Sequence, residues 1–216
     1  MNIYDIHTHQ HPHGTESAIV QLIPDDFFPC SDHYYSVGLH PWDIISDWRV
    51  QMAQLYVMAL HPRVLMIGEA GIDKVNSSVP LELQVEVMRE HIRLSELVRK
   101  PLIIHCVKGV DEILALRKES QATLPWILHG FRGGVEQWRQ LSRAGIWVSI
   151  GLRYNEQLIQ ALPANHLLLE SDDTRELDVV YKQVAAATNT DEATLRHTVA
   201  NNIRYILNLG PLHHSE

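Results

Sequence analysis

Two histidines two residues apart open the chain, in Asp5-Ile6-His7-Thr8-His9. On an extended strand, side chains at i and i+2 leave the same face, so His7 and His9 point together. Paired imidazoles are half of a metal site, and imidazole suits zinc, iron, nickel and copper and tolerates manganese. Taken alone, the pair reads equally well as the polar start of a histidine-rich N-terminus, a run that His11 and His13 prolong. Four more metal-capable side chains change that balance. Glu69 closes the run VLMIG, His105 closes PLII, His129 closes WIL, and Asp172 follows LLLES. Each sits at or just past the C-terminal end of an apolar run. Chance does not readily end five runs this way, and a buried histidine or carboxylate is costly unless paired or metal-bound. Four histidines and two carboxylates exceed the needs of one tetrahedral ion, which favours two ions about 3.5–4 Å apart.

The elements that must carry these residues are short apolar segments at 2–6, 17–23, 34–39, 64–68, 101–104, 126–128, 146–150 and 167–169. Their richness in Ile, Val and Leu fits strands buried on both faces. Helical patterns lie between the later ones, at 81–99, 109–120, 134–144, 178–187 and 191–207, the last with Asp191 as its N-cap. In 81–99 the apolar positions Leu83, Val87, Ile92, Leu94 and Val98 alternate with charges, as on an amphipathic helix. Strands alternating with helices predict an α/β fold with a parallel sheet. Eight strands predict a (β/α)8 TIM-type barrel, whose active sites are built at the C-terminal ends of the strands. The chain, read as a single domain over 1–216, is shorter than the ~250 residues usual for that fold. Residues 7–16 are rich in turn formers, so the first helix is expected to be missing and the barrel shortened near its N-terminus.

These segments resemble, nearly end to end, the TatD-type metal-dependent deoxyribonucleases within the amidohydrolase-like barrels. DIHTH is similar to that family's D-x-H-x-H, GLHPW to its G-x-H-P, and GEAGID to its G-E-x-G-x-D. PLIIHCVKG is similar to P-x-x-x-H, HGFRG to H-x-F-x-G, LLLESDD to L-L-x-E-x-D, and VANNIRYIL to a C-terminal N-x-x-R/K helix. The resemblance implies that His7 and His9 hold one metal, that Glu69 bridges two, and that His105 and His129 hold the second. It makes Asp172 a ligand and the catalytic acid/base beside Glu69. Departures fall elsewhere. Val107, followed by Lys108, stands where the family often has an Arg, Arg132 replaces a small residue, and Asp173-Thr174 replaces a proline. All three touch substrate contacts.

Around the ligands, His40 is expected to contact a substrate phosphate or to support the ligand set, and Lys74, Arg132 and Arg153 are candidate phosphate contacts. Cys106 is expected to be a small buried hydrophobe, and Trp42 and Trp126 to pack in the core. His33, His61, His91, His166 and His197 carry no site argument. Eighteen Lys and Arg against twenty-six Asp and Glu give a net charge of −8, with no basic run. That argues against long duplex binding, which needs many neutralised phosphates, but not against a strand end, where cations supply the positive charge. The resulting expectation is a metal-dependent hydrolase acting on ester bonds, a DNase working exonucleolytically on DNA or nucleotide ends. It would use a water activated by two divalent ions (Mg, Mn or Zn), with Asp172 as acid/base. One alternative is hydrolysis of a small lactone, amide or phosphoester by the same site. Another is a non-catalytic metal-binding barrel. Glu69 at the strand-four position separates the chain from relatives that use a carboxylated lysine there. Two cysteines make no disulfide framework, MNIYDIHTHQ does not read as a signal peptide, and no run is long enough to span a membrane. The expectation is therefore a cytoplasmic protein with no membrane and no obligate protein partner.

Overall fold

The computed structural model describes residues 2–11, 17–24 and 33–208. Its eight strands are β1 (Asp5–Thr8), β2 (Ala18–Leu22), β3 (Tyr34–Val37), β4 (Val64–Asp73), β5 (Leu102–Val107), β6 (Trp126–Leu128), β7 (Ile146–Ile150) and β8 (Leu168–Leu169). They pair in parallel and in chain order. The ring closes between β8 and β1 through backbone bonds from the Asp172 N–H to the His7 carbonyl and from the His9 N–H to the Asp172 carbonyl, both 3.1 Å. Side chains reinforce the seam. The Ser171 N–H and hydroxyl donate to the Asp5 carboxylate at 3.1 and 2.6 Å, and that hydroxyl lies 2.9 Å from the Thr8 hydroxyl. The eight-stranded α/β barrel expected from the sequence is therefore the fold.

Helices α1 (Trp48–Ala59), α2 (Leu81–Val98), α3 (Val110–Ser120), α4 (Val135–Arg143), α5 (Glu156–Ala161), α6 (Leu177–Thr188) and α7 (Glu192–Asn208) accompany the strands. Asp191 caps α7 by accepting the Thr194 N–H at 2.9 Å. Among the described residues no α-helix separates β1 from β2 or β2 from β3. The expected loss of the first helix also concerns 12–16, which, like His13, Cys30, His213 and His214, lie outside the described residues. Two helices were not anticipated. Helix α1 turns Trp48, Met52, Leu55 and Ala59 inward, but exposed Val50 and Val57 on its other side blur the apolar stripe. Helix α5 has six residues, too few for a period to register.

The strands also run further than their apolar cores. β4 continues through Gly68–Asp73, and β5 continues past Ile104 to Val107 alongside it, with Gly71 opposite His105 and Asp73 opposite Val107. Between the pairs Ile67–Leu102 and Ala70–Ile104, three steps on β4 oppose two on β5. That irregularity is a bulge, the device that re-aims a side chain, and it falls at Gly68–Glu69. Gly68 has φ +115°, and a Cβ on Gly71 would lie 1.9 Å from the His105 carbonyl oxygen. Only glycine allows either arrangement. The same three-against-two count occurs on β1, between Asp5 and Thr8, over Ile6–His7.

One histidine outside the site fixes the loop that carries another. His91 on α2 is fully buried, its Nε2 accepts the Leu39 N–H at 3.0 Å, and its Nδ1 meets the Val87 carbonyl at 2.9 Å. That pairing needs a neutral ring protonated at Nδ1, and burial pushes its pKa down to about 4 from 6.5. Between these values the unfolded chain binds a proton that the folded chain refuses, so the stability from His91 is present above pH 6.5 and lost as pH falls toward 4. Burial raises Asp5 to about 7. That carboxyl therefore acts in the opposite direction over the same interval, so the effect is read as a difference between two proteins. His91→Phe leaves the Leu39 N–H unpaired and should cost about 1–3 kcal/mol at pH 7. In urea unfolding, the gap between wild type and variant should narrow by about 2 kcal/mol from pH 7 to pH 5. A gap that does not change with pH would contradict a neutral buried His91.

Candidate metal centre

Glu69 lies at the centre of the barrel mouth, 2% exposed, and its two oxygens face different sets of imidazoles. Oε2 is 3.3 Å from His7 Nε2 and 3.1 Å from His9 Nε2. Oε1 is 2.8 Å from His105 Nδ1, 2.7 Å from His129 Nε2 and 3.4 Å from His40 Nε2. Asp172 closes the ring from β8's side, with Oδ1 3.7 and 3.8 Å from the Nε2 atoms of His7 and His9. Its φ of +53° is left-handed, a conformation that Asp tolerates better than most residues. The six residues expected as ligands therefore converge, and His40 converges with them, near enough to complete a donor group with Glu69 and His105.

Two buried carboxylates that the sequence reading passed over hold the imidazoles in place. Asp73, at the end of GEAGID, has Oδ2 3.2 Å from His105 Nε2 and accepts from the Trp42 indole N–H at 2.8 Å. The backbone N–H groups of Val75 and Asn76 also donate to it, at 2.9 and 2.8 Å. Glu170, fully buried two residues before Asp172, accepts from the Gly130 N–H at 2.6 Å and from the Ser149 hydroxyl, with its Oε1 3.6 Å from His129 Nδ1. Carboxylates placed behind imidazoles fix ring orientation and raise ligand basicity. Both lie inside motifs already singled out, which is the signal that could have found them.

Charge follows from this packing. Burial works to raise Glu69, but the charges of His129 and His7 and the hydrogen bonds of His105 and His129 hold it well below the ordinary glutamate value. Burial likewise works to raise Asp73 and Glu170, and their hydrogen bonds keep both below the ordinary range. Asp172 goes the other way. Burial lifts it, with the charges of Glu170 and Asp173 adding to the rise against the pull of His129 and His7. The chain thus presents ionised carboxylates at the centre and one carboxyl of raised pKa at the rim.

No ligand is part of the structure, but the donors fit divalent cations. His7 Nδ1 and Nε2 and Glu69 Oε2 are all buried without a hydrogen-bond partner. An orphaned buried polar atom costs about 1–3 kcal/mol, so a cluster of them needs a partner of another kind. Imidazole and carboxylate together suit zinc or manganese.

The remaining candidates are placed as follows. Arg132 is exposed and lines a cleft of about 730 Å³ that also touches His105, His129 and Asp172. Lys74 is ion-paired with Glu112 and lines neither cleft beside Glu69. Arg153 is exposed and likewise lines neither. Cys106 is half-buried, and burial pushes its thiol up to about 11, as a packing residue requires. Trp126 is fully buried in the core, as expected. Trp42 is not: it is 54% exposed, its ring centroid 4.6 Å from that of His40, and it borders both clefts.

A family model described as TatD related DNase matches residues 29–208. The chain belongs to that family. It is 30% identical over 198 residues to the 3'-5' ssDNA/RNA exonuclease TatD of Klebsiella pneumoniae, a match covering 86% of this chain and 73% of that one. It is 29% identical over 147 residues to the uncharacterized metal-dependent hydrolase YabD of Bacillus subtilis, covering 64% of this chain and 58% of that one. Among solved structures, the TatD homologue YjjV of Escherichia coli K12 superposes with a TM-score of 0.82 at 19% identity, covering 97% and 98% of the two chains. The likeness to YjjV is one of fold. No helix among the described residues is long and apolar enough to cross a membrane.

If these donors form a metal centre, the metal-free protein should be stabilised by Mn²⁺ or Zn²⁺, by about 2.7 kcal/mol at a hundredfold excess over Kd. Glu69→Ala should lose that gain. A melting temperature indifferent to both cations would remove the cluster from consideration as a metal centre.

Proposed function

We propose that the chain, working as one barrel over residues 1–216, is a metal-dependent phosphodiesterase that removes nucleotides from single-stranded DNA ends. The observation that carries this reading is the division of labour at Glu69. One oxygen serves His7 and His9, and the other serves His105 and His129, with His40 beside them. A single carboxylate between two donor sets is what a pair of cations requires. In this reading His7, His9 and Asp172 would hold one ion and His105 and His129 the other, with Glu69 shared between the two sets. Mg²⁺, Mn²⁺ or Zn²⁺ bound there would supply Lewis acidity toward the phosphoryl oxygens and lower the pKa of water.

The chain's own residues do the rest. Asp172, with 31% of its side chain exposed and its pKa raised, takes the proton of the attacking water. The same carboxyl can then give that proton to the leaving oxygen. Asp73 and Glu170 keep His105 and His129 oriented, and Trp42 ties Asp73 to the rim through its indole N–H. Nucleic acid as substrate is supported by the name of the Klebsiella relative, and a strand end by the net charge of −8. A cytoplasmic setting goes with this reading.

Chelation by EDTA should abolish hydrolysis of labelled single-stranded DNA, and added Mn²⁺, Mg²⁺ or Zn²⁺ should restore it. Activity on lactones but not on phosphodiesters would favour the small-ester alternative. Asp172→Asn suits the left-handed backbone and keeps one oxygen. Its kcat should fall by roughly 10²-fold or more while metal content, read by mass spectrometry, falls only partly. Rate and occupancy dropping in step would reduce Asp172 to an orienting ligand.

A further inference from the structure

Two clefts meet over the metal-ligand cluster, and their charges differ. The first, about 550 Å³, reaches from Glu69 toward β2 and carries Asp43 and Asp173 but no lysine or arginine among its described lining residues. The second, about 730 Å³, opens between the loops after β5 and β6 and carries Lys108 and Arg132 against two carboxylates, Asp111 and the shared Asp172. Both clefts are bordered by His105, His129 and Asp172. Among the described residues neither Lys108 nor Arg132 has an ion-pair partner, whereas Lys74 nearby on the rim is neutralised by Glu112.

Further features of the second cleft suit an anion. Val110 opens α3 and Gly133 precedes α4, and the N-cap glycines of the two helices, Gly109 and Gly134, offer no side-chain cap, with Asp111, Glu112 and Glu136 in the first turns. Helix N-termini of this kind attract negative charge.

We propose that Arg132 and Lys108 form a second phosphate subsite, which takes the phosphate next to the scissile one. The substrate on this view is a chain of at least two phosphodiester groups laid across the cluster, not an isolated ester. Arg132 presents a planar fork matched to two phosphate oxygens, and Lys108 adds a point charge. The first cleft, without fixed cations, receives the other side of the cut. This inference rests on the phosphodiesterase reading above and narrows its substrate.

The test compares bis(p-nitrophenyl) phosphate, which has one phosphate, with a short single-stranded thymidine oligonucleotide. It uses the Mn²⁺-loaded protein and its Arg132→Gln, Lys108→Gln and double variants. Anisotropy of a labelled, hydrolysis-resistant phosphorothioate oligonucleotide reads binding without turnover. KM for the oligonucleotide should rise about tenfold in each single variant, with kcat/KM for the single-phosphate ester within about twofold of wild type. The dependence of log Kd on log salt should shrink by about 0.7 for each residue removed. Arg132→Lys should recover part of that slope, and Lys182→Gln, a loss of equal charge on α6, should leave it unchanged. Equal losses on both substrates, an unaltered slope, or a slope that Lys182→Gln lowers as much would overturn the subsite. Wild-type protein that cleaves neither substrate would instead overturn the phosphodiesterase reading, and the two failures are distinguishable.

Discussion

An ionised carboxylate costs several kcal/mol to bury unless positive charge or donors surround it. Glu69 is buried at the mouth of a barrel, so its neighbours are dictated by that cost. Five imidazoles from four strands or strand ends crowd it, and Asp73 and Glu170 stand behind two of them. The backbone is arranged to the same end. Without the bulge at Gly68, Glu69 would keep the simple alternation of β4. Without the closeness of Gly71 to β5, His105 would not lie beside it.

The residues at the seam serve two purposes. The bonds that close the barrel run through the backbones of His7, His9 and Asp172, while their side chains face the Glu69 Oε2 side of the cluster. Ser171 and Asp5 lock that seam from behind. Shape and chemistry are thus joined at one place, and a change that loosens β8 from β1 displaces half of the donor set.

How much of this could be read from the sequence depended on whether a residue's meaning was local. His7, His9, Glu69, His105, His129 and Asp172 each end an apolar run, and a strand end at the rim is legible from a few neighbours in the chain. Asp73 and Glu170 carry the same chemistry, but their partners are Trp42 and His105, or Ser149, Gly130 and His129, contributed by other elements. Lys74 and Arg132 look alike as letters, and only the fold brings Glu112 to one of them. Trp42 was expected in the core on its apolarity, yet its N–H is held by Asp73 and its ring lies across the rim. His91 looked idle because its role is to accept an N–H from a loop 52 residues away. Helix α1 escaped because exposed valines disguise its inward face.

The seam also sets an order of events. Thr8 and Asp172 are 164 residues apart, and their pairing completes both the ring and the donor set around Glu69. Contacts of such long sequence separation carry a large loop-closure cost and form late. During synthesis the first strand must wait, its histidines uncommitted, until the residues around Asp172 have left the ribosome. Gathering His7, His9 and Asp172 around Glu69 is on this account a finishing step of folding, and a chain stopped short of its eighth strand lacks that half of the donor set.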